Sequence, residues 1–184
     1  MRLFIAVNFI DEIKNRILEV QARLRSQCVK GNFSRPENLH LTLAFLGETP
    51  EEKLDLLSAI IEELCSSLRP EPFEILFNHS GCFTHSHKEL WWIGMEKNHA
   101  GFSRLAAIHG NLNALLSKAG FPVDSRPFNA HITLGREIKH NERIALSCPE
   151  ITVKVERISL MNSEHDRGVL VYTEIMGRDL GHVN

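Results

Sequence analysis

Two short phrases in this chain set an imidazole beside a hydroxyl at strand spacing. Leu39-His40-Leu41-Thr42-Leu43 in the first half returns as Ala130-His131-Ile132-Thr133-Leu134 in the second. Alternation of apolar and polar residues is the period of a half-buried strand, and side chains two apart on a strand share a face. Leu39, Leu41, Leu43 and Phe45 are therefore expected on one side of the first copy, with His40, Thr42 and Ala44 on the other. In the second copy Ala130, Ile132 and Leu134 oppose His131, Thr133 and Gly135. Histidine titrates near 6.5, so a facing pair can hold one charged and one neutral ring at neutral pH. One ring can take a proton from water while the other gives one to a leaving oxygen, each role worth about 10²–10⁴ in rate. The threonine hydroxyls can donate to the non-bridging oxygens of a phosphoryl group, whose charge grows in the transition state. Ala44 and Gly135 leave room for a substrate to approach. A single such strand is weak evidence, because a strand histidine is usually a solvent-facing or satisfied polar residue; two copies with matching flanks say more. The scheme requires no metal and no cofactor.

Two strands in two halves need elements to hold them. Residues 2–8 read as a first strand, and Asp11 opens a helix with Ile13, Ile17, Val20 and Leu24 on one face. The polar stretch Lys30-Gly31-Asn32 and Pro36 separate it from the first motif strand, which Gly47 ends. Thr49-Pro50-Glu51-Glu52 has the pattern of a capping threonine, a proline at the first helical position and a glutamate three after the cap. The helix it opens carries Leu54, Leu57, Ile61 and Leu64. Phe73 to Phe77 and Leu90 to Met95 read as strands, with a histidine-rich loop between them. Phe102, Leu105, Ile108, Leu112, Leu115 and Leu116 mark a third helix, stopped by Gly120 and Pro122. The second motif strand follows, then late strands near 151–160 and 169–175. An internal duplication would bring the two motif strands together at a central cleft.

The 184 residues suit one compact unit or two small lobes sharing a core. A net charge of −2 argues against tracking along a duplex, where a basic stripe must neutralise many phosphates, but leaves room for a local anion pocket. Cys28, Cys65, Cys82 and Cys148 form no C-x-x-C pair, and the first residues read as a strand rather than a leader. A cytoplasmic protein with reduced thiols and no membrane span is expected.

The motif residues resemble a known family. His40-Leu41-Thr42-Leu43-Ala44-Phe45-Leu46-Gly47 and His131-Ile132-Thr133-Leu134-Gly135-Arg136 are similar to the paired H-x-T-x motifs of the 2H phosphoesterase superfamily, and within it to LigT-like RNA 2′,3′-cyclic phosphodiesterases, once described as 2′-5′ RNA ligases. The likeness takes in Arg2-Leu3-Phe4-Ile5-Ala6, Pro36-Glu37-Asn38-Leu39, Leu90-Trp91-Trp92-Ile93-Gly94 and Arg126-Pro127-Phe128. Ala130 stands where the family often has proline, and Gly135 where it often has alanine. The resemblance implies an α+β fold over residues 1–184: a single bilobal domain with one motif per lobe. Its two antiparallel sheets would be related by a pseudo-two-fold around a central cleft, with helices outside. It implies hydrolysis of RNA 2′,3′-cyclic phosphate ends, or of small cyclic nucleotides, to a 2′-phosphate. It also implies the reverse joining as a 2′-5′ linkage. His40 would protonate the departing 3′ oxygen and His131 would activate water; from the residues alone the two are interchangeable. Thr42 and Thr133 carry over as phosphate-binding hydroxyls. A metal-free enzyme needing only one chain follows, against the alternative of a non-catalytic module binding nucleotides or RNA ends in the same cleft.

Other residues are weighed beside these. Arg136 could neutralise a phosphate, but strict alternation points it away from His131 unless the strand bends at Gly135. Arg126 and Tyr172 read as surface or packing residues. Phe4, Phe45 and Trp92 could stack a base, though aromatic residues on strands are more often core. Cys82, His85 and His87 are metal-ligand types, but their spacing matches no paired knuckle, and a surface loop is expected there.

Overall fold

The first strand is apolar on both faces, and its place in the sheet explains why. In the computed structural model, which describes residues 1–181, β1 (Arg2–Asn8) buries Leu3, Phe4, Ile5, Ala6 and Val7. It lies inside an antiparallel sheet of order β3-β1-β8-β9, formed with β3 (His40–Glu48), β8 (Arg157–Asp166) and β9 (Val169–Asp179). Leu3, Ile5 and Val7 face the main core, while Phe4 and Ala6 join Met161 and Tyr172 in a small cluster on the other face. Only a strand covered on both sides can use an unbroken apolar run.

The second antiparallel sheet has order β2-β6-β5-β4-β7, from β2 (Lys30–Phe33), β4 (Phe73–His85), β5 (Lys88–Met95), β6 (His131–Lys139) and β7 (Ile151–Val155). Helix α1 (Asp11–Arg25) packs on this sheet through Ile17, Val20 and Leu24. Helix α3 (Ala100–Lys118) touches both β4 and β3 and so bridges the two sheets, with α2 (Leu54–Leu68) packed on α3 and β9. The two motif strands, β3 and β6, lie against each other where the sheets meet.

Four sequence expectations change. The histidine-rich stretch is not a loop: β4 runs to His85 and turns back into β5 through Ser86 and His87, both with positive φ. Two such residues make the tight turn whose twist matches a hairpin. The alternation was hidden because this half of β4 is largely solvent-facing, so neither face needed apolar residues. Lys30–Phe33, read as a separator, is an edge strand paired with β6. The late region holds three strands rather than two, with β7 and β8 meeting at Glu156. Thr49 caps nothing: its hydroxyl donates to the Gly47 carbonyl, and a turn of 3-10 helix over Glu51–Lys53 leads into α2. The four-residue capping pattern is present, but the tie of Thr49 N–H to the Met1 carbonyl holds the residue to the sheet end instead.

Each motif strand carries a β-bulge directly after its threonine. Ile5 pairs with Ala44 and Ala6 with Thr42, leaving Leu43 without a partner on β1. Trp91 pairs with Gly135 and Trp92 with Thr133, leaving Leu134 in the same position on β6. A bulge bends its strand and re-aims the side chains beyond it. In β6 Leu134 and Gly135 are both buried, so the alternation slips and Arg136 changes face. In β3 the bulge at Leu43 likewise turns Ala44 toward the core and leaves Phe45 53% exposed, and a further slip follows at Leu46. Phe45 and Arg136 both stand five residues after their histidines. The repeated phrase is thus also a repeated backbone irregularity.

Candidate functional site

His40 and His131 line one cavity of about 320 Å³ together with Thr42, Thr133, Arg136, Arg35, Asn38 and Tyr172. All five residues expected from the sequence meet there. Each imidazole is pinned in the same way: His40 Nδ1 donates to the Asn38 carbonyl at 2.7 Å, and His131 Nδ1 donates to the Asn129 carbonyl at 2.8 Å. A carbonyl oxygen can only accept, so Nδ1 carries a proton in both rings and Nε2 is the nitrogen left to gain or lose one. That is the arrangement needed for proton transfer at a shared substrate atom.

The surroundings of the two rings differ. His40 Nε2 lies 2.9 Å from Thr42 Oγ1. Its ring stands 4.8 Å from Phe4 and meets Tyr172 edge-on at 5.2 Å. His131 meets Phe83 edge-on at 5.3 Å and Trp92 at 6.2 Å. Trp92 lies flat across Gly81, where a Cβ would stand 2.3 Å from the indole. A side chain at Gly81 would displace the ring that walls His131.

Burial among these rings pushes both imidazoles below their ordinary 6.5, because a charged ring loses hydration there. The carbonyls of Asn38 and Asn129 act the other way by accepting from Nδ1–H. The Arg136 guanidinium depresses both rings further, and His131 also depresses His40. Both rings are therefore neutral in the free protein at neutral pH. An anion entering beside Arg136 would relieve part of that penalty.

The face assigned to Arg136 by strict alternation is corrected by the bulge at Leu134. Its guanidinium belongs to the histidine cavity and has no carboxylate partner among the described residues, whereas Arg35 is paired with Glu37 at 3.4 Å. Gln21, buried on α1, holds this irregular stretch: its Nε2 donates to the carbonyls of Ser34 at 2.7 Å and Leu134 at 2.9 Å. Ser34 Oγ donates to the Thr133 carbonyl at 2.7 Å. A polar residue on the buried face of an amphipathic helix was the one available signal for this clamp.

Tyr172, read as surface or packing, stands in the cavity wall against His40. Asn38 places it there: its Nδ2 donates to the Leu170 carbonyl at 2.8 Å, its Oδ1 accepts from Tyr172 N–H at 3.2 Å, and its own carbonyl holds His40. Strand pairing between distant segments creates this link, so no local pattern announces it. Phe4 is core, as expected, but core that forms the floor beneath His40. Trp92 walls His131, while Phe45 faces outward instead of inward. Arg126 lies at the cleft rim, forked onto Asp124, whose carboxyl it holds down to about 2. Among the described residues no three His, Cys, Asp or Glu side chains are placed to hold a metal ion, Cys82, His85 and His87 included. No described helix is long and apolar enough to cross a membrane.

The sequence profile of the 2′-5′ RNA ligase superfamily matches residues 8–167. An RNA 2′,3′-cyclic phosphodiesterase of Archaeoglobus fulgidus is 39% identical over 147 residues, covering 79% of this chain and 77% of that protein. An RNA 2′,3′-cyclic phosphodiesterase of Escherichia coli is 31% identical over 176 residues, covering 95% and 93%. The crystal structure of E. coli LigT complexed with 3′-AMP superposes with a TM-score of 0.81 at 29% identity, covering 98% of each chain.

Proposed function

The chain belongs to the 2′-5′ RNA ligase superfamily, and on that premise we propose that it hydrolyses 2′,3′-cyclic phosphates at RNA ends, or on small cyclic nucleotides, to 2′-phosphates. One observation carries the reading. Two H-x-T strands, one from each sheet, contribute two Nδ1-pinned imidazoles, two threonine hydroxyls and one cation without a carboxylate partner among the described residues to a single cavity. Two lobes of one domain, each supplying one motif, account for that convergence.

In this reading the cyclic phosphate enters beside Arg136, with Thr42 and Thr133 donating to its non-bridging oxygens. His131, neutral at Nε2, takes a proton from water as the water oxygen bonds to phosphorus. The bond from phosphorus to the 3′ oxygen breaks, and protonated His40 Nε2 supplies that oxygen with its proton. Thr42 couples the two tasks, since its hydroxyl reaches His40 Nε2 directly. Protonated His40 is disfavoured in the free protein and favoured once the substrate anion is bound, so the acid forms where it is needed. Run backwards, with a 5′-hydroxyl in place of water, the same acid and base join two RNA ends as a 2′-5′ linkage. The relatives named for cyclic phosphodiesterase activity support the substrate class. The scheme uses no metal, a single chain suffices for it, and the reduced thiols suit the cytoplasm.

The test is incubation with a short oligonucleotide ending in a 2′,3′-cyclic phosphate, with and without chelator, and with the product phosphate located. A 2′-phosphate formed equally in both supports the reading. Binding of a 2′-phosphorylated nucleotide without turnover of any cyclic phosphate would replace it with the non-catalytic module.

A further inference from the structure

Arg136 stands between two backbone irregularities. The bulge at Leu134 turns the strand over and puts Arg136 on the histidine face. Left uncorrected, it would also put Glu137 in the core and Ile138 in the cleft, since a one-residue slip reverses every later side chain. A second bulge prevents this. Arg136 pairs with Leu90 and Ile138 with Glu89, so Glu137 has no partner on β5, and β2 shifts register between Asn32 and Lys30, opposite the same stretch. Ile138 thereby returns to the core, 3% exposed, while Glu137 turns outward with a φ of 53°. Left-handed backbone presses an L side chain's Cβ against the carbonyl that follows, and glycine is its usual occupant. The first motif strand adopts that usual solution: its second slip, at Leu46, is followed by Gly47 with a φ of 71°. At the matching slip, six residues after its histidine, β6 has a glutamate.

Two ties hold the glutamate in that shape. Its Oε2 accepts from Asn32 Nδ2 at 3.0 Å and its Oε1 accepts from Lys88 Nζ, one neighbour on each side of β6. Asn32 is the register partner of Arg136 and lines the histidine cavity with it. The Lys88 pair is largely exposed, so its attraction adds little stability; its effect is to select a conformation. Strained backbone persists where its surroundings fix it, and it gathers at working sites. Resting on the phosphate-binding role proposed above for Arg136, we infer that Glu137 is the positioning residue of that guanidinium. Its left-handed backbone closes the two-residue window, Gly135-Arg136, that the bulge at Leu134 opens. The cation stays in the cavity while the strand resumes its core register. Gln21 holds one end of the window through the Leu134 carbonyl, and Asn32 and Lys88 hold the other through Glu137. Glu137 does not line the cavity and acts only through the aim of its neighbour.

The experiment separates backbone shape from carboxylate. A β-branched side chain resists positive φ, whereas glycine adopts it freely. Binding of adenosine 2′-phosphate and turnover of a nucleoside 2′,3′-cyclic phosphate are measured side by side. Glu137→Val should weaken binding and lower kcat/KM about tenfold, as a charge-assisted contact is pulled out of line. It should also move the pH profile of kcat/KM upward, as Arg136→Met does, because the guanidinium no longer faces the imidazoles. Glu137→Gly keeps the conformation and should recover binding and turnover to within about threefold. Placed on top of Arg136→Met, Glu137→Val should cost no more than about twofold further, since two changes to one contact do not add. Where thermal unfolding shows that the valine variant does not fold, Glu137→Ala, a milder clash at positive φ, carries the same comparison. A glycine variant as impaired as the valine one would make the carboxylate the active part and overturn the inference. So would a valine variant with full activity, or a valine loss undiminished beside Arg136→Met. If the unsubstituted protein binds without turnover, the same ratios in binding alone support or overturn it. Neither binding nor turnover would remove the activity proposed above, and the inference with it.

Discussion

His40 and His131 occupy the same place in the same phrase, yet the tertiary structure makes them unequal. His40 is on β3, the edge of its sheet, and is bound into a network: Asn38 ties its Nδ1 to β9, Tyr172 and Phe4 enclose its ring, and Thr42 meets its Nε2. His131 is on β6, an interior strand, and its Nδ1 partner belongs to Asn129, an exposed residue whose side chain ties nothing comparable. The backbone device is duplicated; the neighbours are not. Both rings are pushed the same way, below 6.5, by burial and by Arg136, but only His40 is lowered further by its partner ring.

The largest effect expected is loss of either ring. His40→Ala and His131→Ala should each lower kcat/KM on a cyclic nucleotide about 10³-fold or more, with the double variant no worse than either single one, since acid and base act as a unit. A surviving activity in one single variant would show that the asymmetry extends to one ring being dispensable. Arg136→Met comes next. Removing a charge-assisted contact worth about 1.5–3 kcal/mol should slow turnover about 10–100-fold. It should also move the pH profile of kcat/KM upward, because Arg136 adds to the burial that holds both imidazoles below 6.5. In the unsubstituted protein that profile should be bell-shaped and lie on the acid side of 6.5.

Smaller effects probe the scaffolding. Asn38→Ala leaves the Leu170 carbonyl and the Tyr172 N–H without partners and should cost about 1–3 kcal/mol in denaturant unfolding. Asn129→Ala should stay within about 0.5 kcal/mol. Equal costs would erase the difference drawn between the two sides. Stability should also fall as pH drops below 6.5. His40, His131 and His109 have depressed values in the fold, so the unfolded chain binds more protons in that window and is favoured by acid. Thermal unfolding at pH 7 and 5, repeated with both motif histidines replaced by asparagine, measures the share due to the pair.

The motif residues themselves could be read from the chain because their signal is local: alternation and identity over five positions. What lies around them could not. Arg136 was ambiguous because a one-residue bulge reverses every later side chain, and nothing in Leu134-Gly135 distinguishes a bulged from a regular pair. Asn38, Tyr172 and Gln21 act through hydrogen bonds to segments far away in sequence, which no window contains. The hairpin around Ser86-His87 was missed for a plainer reason: a two-sided polar ribbon needs no apolar face.

By itself, then, the order of residues determined two strands, each with an imidazole and a hydroxyl on one face, and enough apolar periodicity to bury their backs. Which groups stand opposite those faces was decided only when two sheets met along β3 and β6. Long-range strand pairing set the bulges, the bulges aimed Arg136 into the histidine cavity and turned Phe45 out of the core, and burial among packed rings pushed both imidazoles below 6.5. Alternation is a property of neighbours in the chain, whereas desolvation and charge proximity are properties of neighbours in space.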